Sequence, residues 1–339
     1  MSNLSGQGVV AGRATLRRAA PQEQMAALGL ALSSSGRVAG EREVAEFLRI
    51  AGSRHLDLSG LWIAEEGGKL LWAILPVATP GKTLLLLSPN YLADASQLEP
   101  ALRLTEVVCG QFPGIDLAQV LVEPTAMGPC SLYPQLGFME IAELIYLHAP
   151  VRRQRPAPPL PAGFSFAYYS EENRGLFITA IRESYQQSLD CPALNGLREI
   201  DDVLIGHQAA GGLGGIGDFD PSLWRVLLHQ PAGSMAPPQP CGVLLLCRTD
   251  HNEGMELVYI GLSPHVRRRG LGSLLVQYTL ATAAAHNRHR VTLAVDSRNS
   301  PALHVYFRHG FQKIAAKVAF IRDLRKGNAA NGLKTVALA

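Results

Sequence analysis

Nowhere in the 339 residues does an apolar run approach the roughly 18 residues that a membrane-spanning helix needs. The opening stretch, residues 1–20, lacks the continuous apolar core of a secretion signal. Strong charge of either sign is also missing. The 31 basic and 28 acidic residues leave a formal +3, spread too thinly for a nucleic-acid binder. Five cysteines (Cys109, Cys130, Cys191, Cys241 and Cys247) form no Cys-x-x-Cys pair. They read as free thiols of a reducing compartment, not as a disulfide frame or a zinc site. The histidines show no metal-ligand spacing, and no Gly-x-Ser-x-Gly elbow occurs. What is present, 47% hydrophobic against 17% charged residues, builds a globular core, and the length suits two domains. The expectation is a cytoplasmic two-domain protein with no metal and with neither membrane nor nucleic acid as partner.

A seam lies at residues 148–163, where five prolines and the arginines Arg152, Arg153 and Arg155 preclude a buried element and predict an extended linker. The two sides repeat each other. Tyr133, Gly137, Phe138, Ile141 and Ala142 each precede Tyr306, Gly310, Phe311, Ile314 and Ala315 by 173 positions, and Ser88-Pro89 precedes Ser263-Pro264 by 175. Each half runs from a short strand through helical spacing to hairpin strands, then strand, helix, strand, short helix and closing strands. The first helical spacing is Val44, Phe47, Leu48, Ala51 in one half and Leu197, Ile200, Leu204 in the other. That order predicts an α/β unit used twice: residues 1–150, a linker at 151–162, residues 163–326 and a tail at 327–339.

The chemistry concentrates in the second half. An apolar strand, residues 257–262, meets Ser263-Pro264, and Arg267-Arg268-Arg269-Gly270-Leu271-Gly272 then turns directly into a helix bearing Leu274, Leu275, Tyr278 and Thr282. Glycines at a strand-to-helix turn leave backbone N–H groups free at the positive end of the helix, a place suited to a pyrophosphate. A solvated basic turn is the plainer alternative. Further on, Asn299-Ser300-Pro301 opens a helix that Gly310 stops, with Ser300 as the expected N-cap, Pro301 as a first-turn residue and Tyr306 about two turns along.

Together these stretches resemble the GNAT acetyltransferase superfamily. Arg267, Gly270 and Gly272 match its R/Q-x-x-G-x-G/A loop, and Asn299, Ala302, Tyr306, Gly310 and Phe311 match its N-x-x-A-x-x-x-Y-x-x-x-G-F block. The resemblance covers residues 163–326 and reaches the first half only through the repeat. It implies two tandem GNAT-like domains, each a mixed, largely antiparallel central sheet flanked by helices. It further implies an N-acetyltransferase that uses acetyl-CoA as co-substrate and a small-molecule or peptide amine as acceptor. Backbone groups of Ile260 and Leu262 would hold the pantetheine arm. Amides of Arg267, Arg268, Arg269, Gly270, Leu271, Gly272 and Ser273 would hold the pyrophosphate, and Asn299 would bond the cofactor. Tyr306 would act as general acid, or else is a packing tyrosine. Glu256, 11 residues before Arg267, would act as general base, or else is an exposed strand-start carboxylate. A catalytically silent CoA-binding regulatory or scaffold protein is the alternative. A nucleotide-phosphate site is disfavoured because the loop has no Lys-Ser/Thr.

The first half has Leu92-Ala93-Asp94-Ala95-Ser96-Gln97 where the second has its arginines and glycines, and Ala126 where the second has Asn299. It reads as a degenerate GNAT-like domain that does not bind CoA, a layout similar to that of tandem GNAT proteins such as the mycothiol synthases. The acceptor is not readable. Tyr185 and Asp190 border the expected acceptor cleft, in a stretch that also reads as an ordinary helix-terminating loop, and Cys191 lacks a histidine partner. Gly212 to Gly217 formally fits G-x-G-x-x-G but leads into no helix, which predicts a loop.

Overall fold

A computed structural model describes residues 9–11, 13–34, 36–53, 56–124, 129–152, 156–210, 219–249 and 253–325. The glycine stretch at 212–217 lies outside the described residues. The chain forms two compact units, one of residues 1–141 and 317–339, the other of residues 142–316. No described helix is long and apolar enough to cross a membrane.

In the first unit the strands are β1 (Val9–Ala11), β2 (Ala14–Arg18), β3 (Trp62–Glu66), β4 (Lys69–Thr79), β5 (Thr83–Leu87) and β6 (Leu117–Val122). The helices are α1 (Gln24–Ala31), α2 (Glu41–Ser53), α3 (Leu98–Gly110) and α4 (Pro129–Gln135). Every pairing from β1 to β5 is antiparallel, and β5 and β6 are parallel. On α2 the buried residues are Val44, Phe47 and Ala51, the spacing of a helix with one apolar face. Trp72, Leu84, Leu104, Val120 and Tyr133 meet in this unit's core.

The second unit begins with most of β7 (Met139–Pro150) and continues through β8 (Phe164–Tyr168), α5 (Arg174–Tyr185), α6 (Ile200–Gln208), β9 (Trp224–His229), β10 (Gln239–Thr249) and β11 (Gly254–Leu262). Then come α7 (Leu271–Ala285), β12 (Arg290–Asp296) and α8 (Ser300–Arg308). The strands lie in the order β7-β12-β11-β10-β9-β8, antiparallel except at β11 and β12. Phe177, Trp224, Leu245, Met255, Leu275 and Val291 are all buried in its core. Burial along α7 extends past the expected stripe to Val276, Leu280 and Ala283, as in a helix covered on several sides.

Both units are mixed α/β with a largely antiparallel sheet flanked by helices. The compact units nevertheless differ from a division of the chain into consecutive halves. β7, the last strand of the first repeat, pairs with β12, while β13 (Gln312–Asp323), the last strand of the second repeat, pairs with β6. Strand register, not order along the chain, sets unit membership.

Close approach of α5 to the sheet depends on a missing side chain. A Cβ added at Gly261 of β11 would lie 2.6 Å from Ser184 Cβ on α5, far inside contact distance. Gly175, on the same helix, has open space around it. Gly261→Ala is expected to lower stability by about 1–3 kcal/mol through overpacking, and Gly175→Ala to be neutral or slightly stabilising. Thermal melts of the two variants check this contrast, and equal midpoints would contradict it.

Candidate active site

The second unit's site starts from a parting of strands. β11 and β12 pair only over Gly254–Arg290, Met255–Val291 and Glu256–Thr292. β12 then continues alongside β7 as far as Asp296, while β11 continues alongside β10 as far as Leu262. The β10–β11 register slips at this point: Leu245 faces Tyr259 but Leu246 faces Leu257, so Val258 is an extra residue. Such a bulge bends its strand. Beyond Glu256, the edge of β11 turned toward β12 has no strand partner among the described residues. Ile260 and Leu262 lie on this stretch.

A turn at Pro264–Val266 follows β11, then Arg268 and Gly270 in left-handed backbone (φ 61° and 77°), and α7 begins at Leu271. Gly270 is the N-cap, so no side chain caps the helix. The first amides of an uncapped helix need an acceptor, and the helix dipole favours an anionic one. A Cβ at Gly270 would meet nothing, and one at Gly272 would meet only Leu262 Cδ1, at 4.0 Å. Space for a ligand is therefore present beside these amides. Arg268 and Arg269 are exposed beside them. Ser273 Oγ lies 2.6 Å from His309 Nε2, at the end of α8.

Arg267 is occupied differently. Its guanidinium donates to four carbonyl oxygens: Leu262 (2.9 Å), Ser184 (2.8 Å), Gln186 (2.9 Å) and Gln187 (3.1 Å). Its amide donates to Pro264 O. This motif arginine is thus a strut between β11 and the end of α5.

The segment that leaves α5, residues 186–191, is tied again at the far side of the opening. Cys191 N donates to Asp296 Oδ2 (3.1 Å) and Asp296 N donates to Asp190 Oδ1 (3.0 Å), a reciprocal pair. Asp296 is fully buried, and Arg298 clamps both its oxygens. Hydrogen bonds from Arg298 hold the Asp296 carboxyl below its ordinary value against the opposing effect of burial. Asp190 is shifted the other way: burial raises it, with a contribution from the Asp296 charge, although hydrogen bonds to Asp296 N and Asn299 oppose the shift. Arg267 at the end of β11 and Asp296 at the end of β12 thus hold one short segment across the mouth of the opening. Cys191 takes left-handed backbone (φ 44°), and burial pushes its thiol up to about 12, a poor nucleophile at neutral pH.

Asn299, not Ser300, is the N-cap of α8: its Oδ1 accepts from Ala302 N (3.3 Å). The asparagine's carbonyl oxygen fits this capping position better than a hydroxyl one residue further on. The Asn299 side chain also bonds Asp190. α8 carries Tyr306, 6% exposed, with Phe311 packed against its ring at 5.6 Å. Burial, with Asp190 adding to it, raises the Tyr306 hydroxyl well above its ordinary value, so it stays protonated. That hydroxyl bonds no described residue.

The first unit repeats this corner. Gly137 and Gly310 are both left-handed (φ 80° and 86°), Phe138 N donates to Tyr133 O, and Phe311 N donates to Tyr306 O. The hydroxyls differ. Tyr133 Oη reaches Ser88 Oγ and Pro89 O, each at 3.0 Å, which fastens α4 to the end of β5. The first unit's counterpart of the arginine loop is likewise satisfied internally: Ala93 N donates to Gln97 Oε1 and Ser96 N to Asp94 Oδ1.

Of the other expected residues, Tyr185 packs edge-on against Tyr259 (5.7 Å), and burial pushes its hydroxyl up to about 12. Glu256 sits where β11 and β12 are still paired, opposite Cys247 and Thr292. The structure therefore brings Asp190, Asn299 and Tyr306 together, with Glu256 at the closed end of the opening. Asp296 escaped the sequence reading, although a carboxylate ending an apolar strand three residues before Asn299 was a usable signal. Tyr259 also escaped it; its hydroxyl shares a hydrogen bond with Ser184 (2.8 Å), and His207 stacks on its ring. No metal-binding group of His, Cys, Asp and Glu occurs among the described residues.

Tyr133→Phe should cost about 1–3 kcal/mol, because it strands the buried Pro89 carbonyl and removes the partner of the Ser88 hydroxyl. Tyr306→Phe should leave the melting midpoint unchanged, since its hydroxyl has no partner among the described residues. Parallel thermal melts test the pair, and a Tyr306→Phe loss as large as that of Tyr133→Phe would contradict it.

Comparison with known proteins finds likenesses for this part of the chain. Residues 222–311 match the acetyltransferase (GNAT) family. A mycothiol acetyltransferase of Gordonia bronchialis is 42% identical over 67 residues, which are 20% of this chain and only 22% of that relative's length. A GCN5-related N-acetyltransferase from Sphaerobacter thermophilus shares the fold across 93% of this chain and 97% of its own (TM-score 0.60, 15% identity). A tandem GNAT protein from the clavulanic acid biosynthesis pathway aligns over 91% and 98% of the two chains (TM-score 0.48, 15% identity). Residues 222–311 are thus the part of the chain that is similar to the acetyltransferase (GNAT) family, and the likeness beyond them is one of fold.

Proposed function

We propose that the second unit transfers an acetyl group from acetyl-CoA to a primary amine by direct attack. The observation that carries this reading is the parting of β11 from β12, which leads into an uncapped helix start beside a tyrosine whose hydroxyl bonds no described residue. Backbone groups of Ile260 and Leu262 would align the pantetheine arm. The first amides of α7, from Leu271 to Ser273, would meet the pyrophosphate, with Arg268 and Arg269 adding charge. Bound acetyl-CoA would supply an activated thioester, and the protein would supply orientation, which makes the encounter nearly unimolecular. Asn299 serves this site by capping α8 and so placing Tyr306.

Tyr306 is kept protonated by burial and is the donor in this reading, delivering its proton to the leaving sulfur. An ammonium acceptor must first lose a proton, and a carboxylate of the unit takes it. Glu256 is the carboxylate that the strand offers, and Asp190 the one that the segment across the mouth offers. The first unit, with its tyrosine fastened and its loop amides satisfied, is proposed not to bind CoA.

Acetyl-CoA is expected to raise the melting midpoint, as any ligand of the native state does, by about 2.7 kcal/mol at a hundredfold excess over Kd. Tyr306→Phe should keep that shift while thiol release with an amine acceptor falls by about a hundredfold or more. Undiminished turnover in this variant would remove Tyr306 from the reaction. Absence of any shift with acetyl-CoA would remove the proposed function.

A further inference from the structure

We infer that Asp190, on the segment spanning the mouth of the opening, is the carboxylate that holds the acceptor's ammonium and takes its proton. The inference rests on the acetyltransferase reading and names the residue that acts on the acceptor.

Position is the first argument. Residues 186–191 are fastened to the end of β11 by Arg267 and to the end of β12 by Asp296, so Asp190 stands where an acceptor would meet a thioester lying between the strands. The second argument concerns the carboxylate itself. A carboxylate has about four acceptor positions, and Asp190 uses two, for Asp296 N and Asn299. Asp296 is neutralised by Arg298 and spent on backbone amides, which leaves it no such role. The third argument is the neighbour. Tyr306, 6% exposed and without a hydrogen-bond partner among the described residues, feels the Asp190 charge. Cys191, Arg198, Tyr259 and Arg298 are further ionisable groups around Asp190, Asp296 and Tyr185. Glu256, in contrast, lies beside Cys247, and its charge is felt at Tyr146 of β7.

The proton step is simple to balance. An N–H bond of the bound ammonium breaks, the proton forms an O–H bond on Asp190, and the nitrogen keeps the electron pair. A paired anion and cation become a neutral acid and a neutral amine. Burial and the Asp296 charge raise the Asp190 carboxyl, which makes it a stronger base than an exposed aspartate.

The test uses the full chain and Asp190→Asn, whose amide oxygen can still accept from Asp296 N. Thiol release from acetyl-CoA is followed with spermidine, L-lysine, glucosamine and an alanyl dipeptide, and the fastest amine is taken forward. At pH 7 the variant should lose about a hundredfold in kcat/KM for that amine, with the acetyl-CoA-induced rise in melting midpoint unchanged. Its rate should climb toward wild type as pH approaches the amine's own pKa, about 10 for a lysine-like amine, because bulk solvent then supplies the neutral form. A kcat/KM within twofold of wild type overturns the inference. So does a loss with no recovery at high pH, or one accompanied by a lost acetyl-CoA shift, since either marks a merely structural role. Absence of thiol release by the wild-type chain with all four amines overturns the acetyltransferase reading itself.

Discussion

The candidate site depends on two strands that stop pairing. β11 and β12 share three residue pairs and then diverge, and an exposed backbone edge in the middle of a sheet is costly unless something satisfies it. In the second unit the divergence is fixed at both tips. Arg267 gathers the carbonyls at the end of β11, and Asp296 gathers the amides at the end of β12. Both ties reach the same short segment after α5. One cation and one anion thus hold the opening at a set width, and their side chains are consumed in doing so. The arginine that looks most like a ligand-binding residue by motif acts as a strut, its guanidinium spent on four backbone carbonyls.

The first unit shows what the same architecture becomes without that arrangement. β5 and β6 also pair over three residues, Thr83 to Leu85 with Leu117 to Gln119. No register slip interrupts β4 and β5, where Leu75 to Thr79 face Leu87 to Thr83 in unbroken order. Tyr133 then bonds the end of β5 through its hydroxyl, and Phe320 packs on its ring at 5.3 Å. The residue whose counterpart is a hydroxyl without a partner is here a fastening. Similar helix-stop geometry at Gly137 and Gly310 therefore accompanies a fastened hydroxyl in one copy and, in the other, a hydroxyl that bonds no described residue. A single hydrogen-bond pattern separates the two roles better than the sequence match at the tyrosine does.

Much of this was legible in the sequence because it is local. Left-handed Gly270 and Gly310, proline in the first turn of α8, and helical spacing along α2 are short-range consequences of residue type. The GNAT match likewise rests on motifs within two contiguous stretches. What was not legible depends on contacts between residues far apart in the chain. Arg267 meets carbonyls more than 80 positions earlier in the chain, and Asp190 meets Asp296 across 106. No periodicity encodes such pairings. Unit membership failed to follow the repeat for the same reason: β7 and β13 are assigned by the strands they pair with, and register partners are not written in either strand alone.

Asn299 shows how a motif residue can carry work within the fold that the motif itself does not name. Its oxygen caps α8 and its side chain steadies Asp190, so it links the segment across the mouth with the helix that carries Tyr306. Asp296, three residues earlier, ties the same segment to the end of β12. Asp190 and Tyr306, the groups of the proposed proton steps, thus stand on separate elements that Asn299 links by hydrogen bonds. In the proposed reaction that link would couple the two ends of the proton path. Relative placement of the two is what a reaction with one proton taken and one proton given requires.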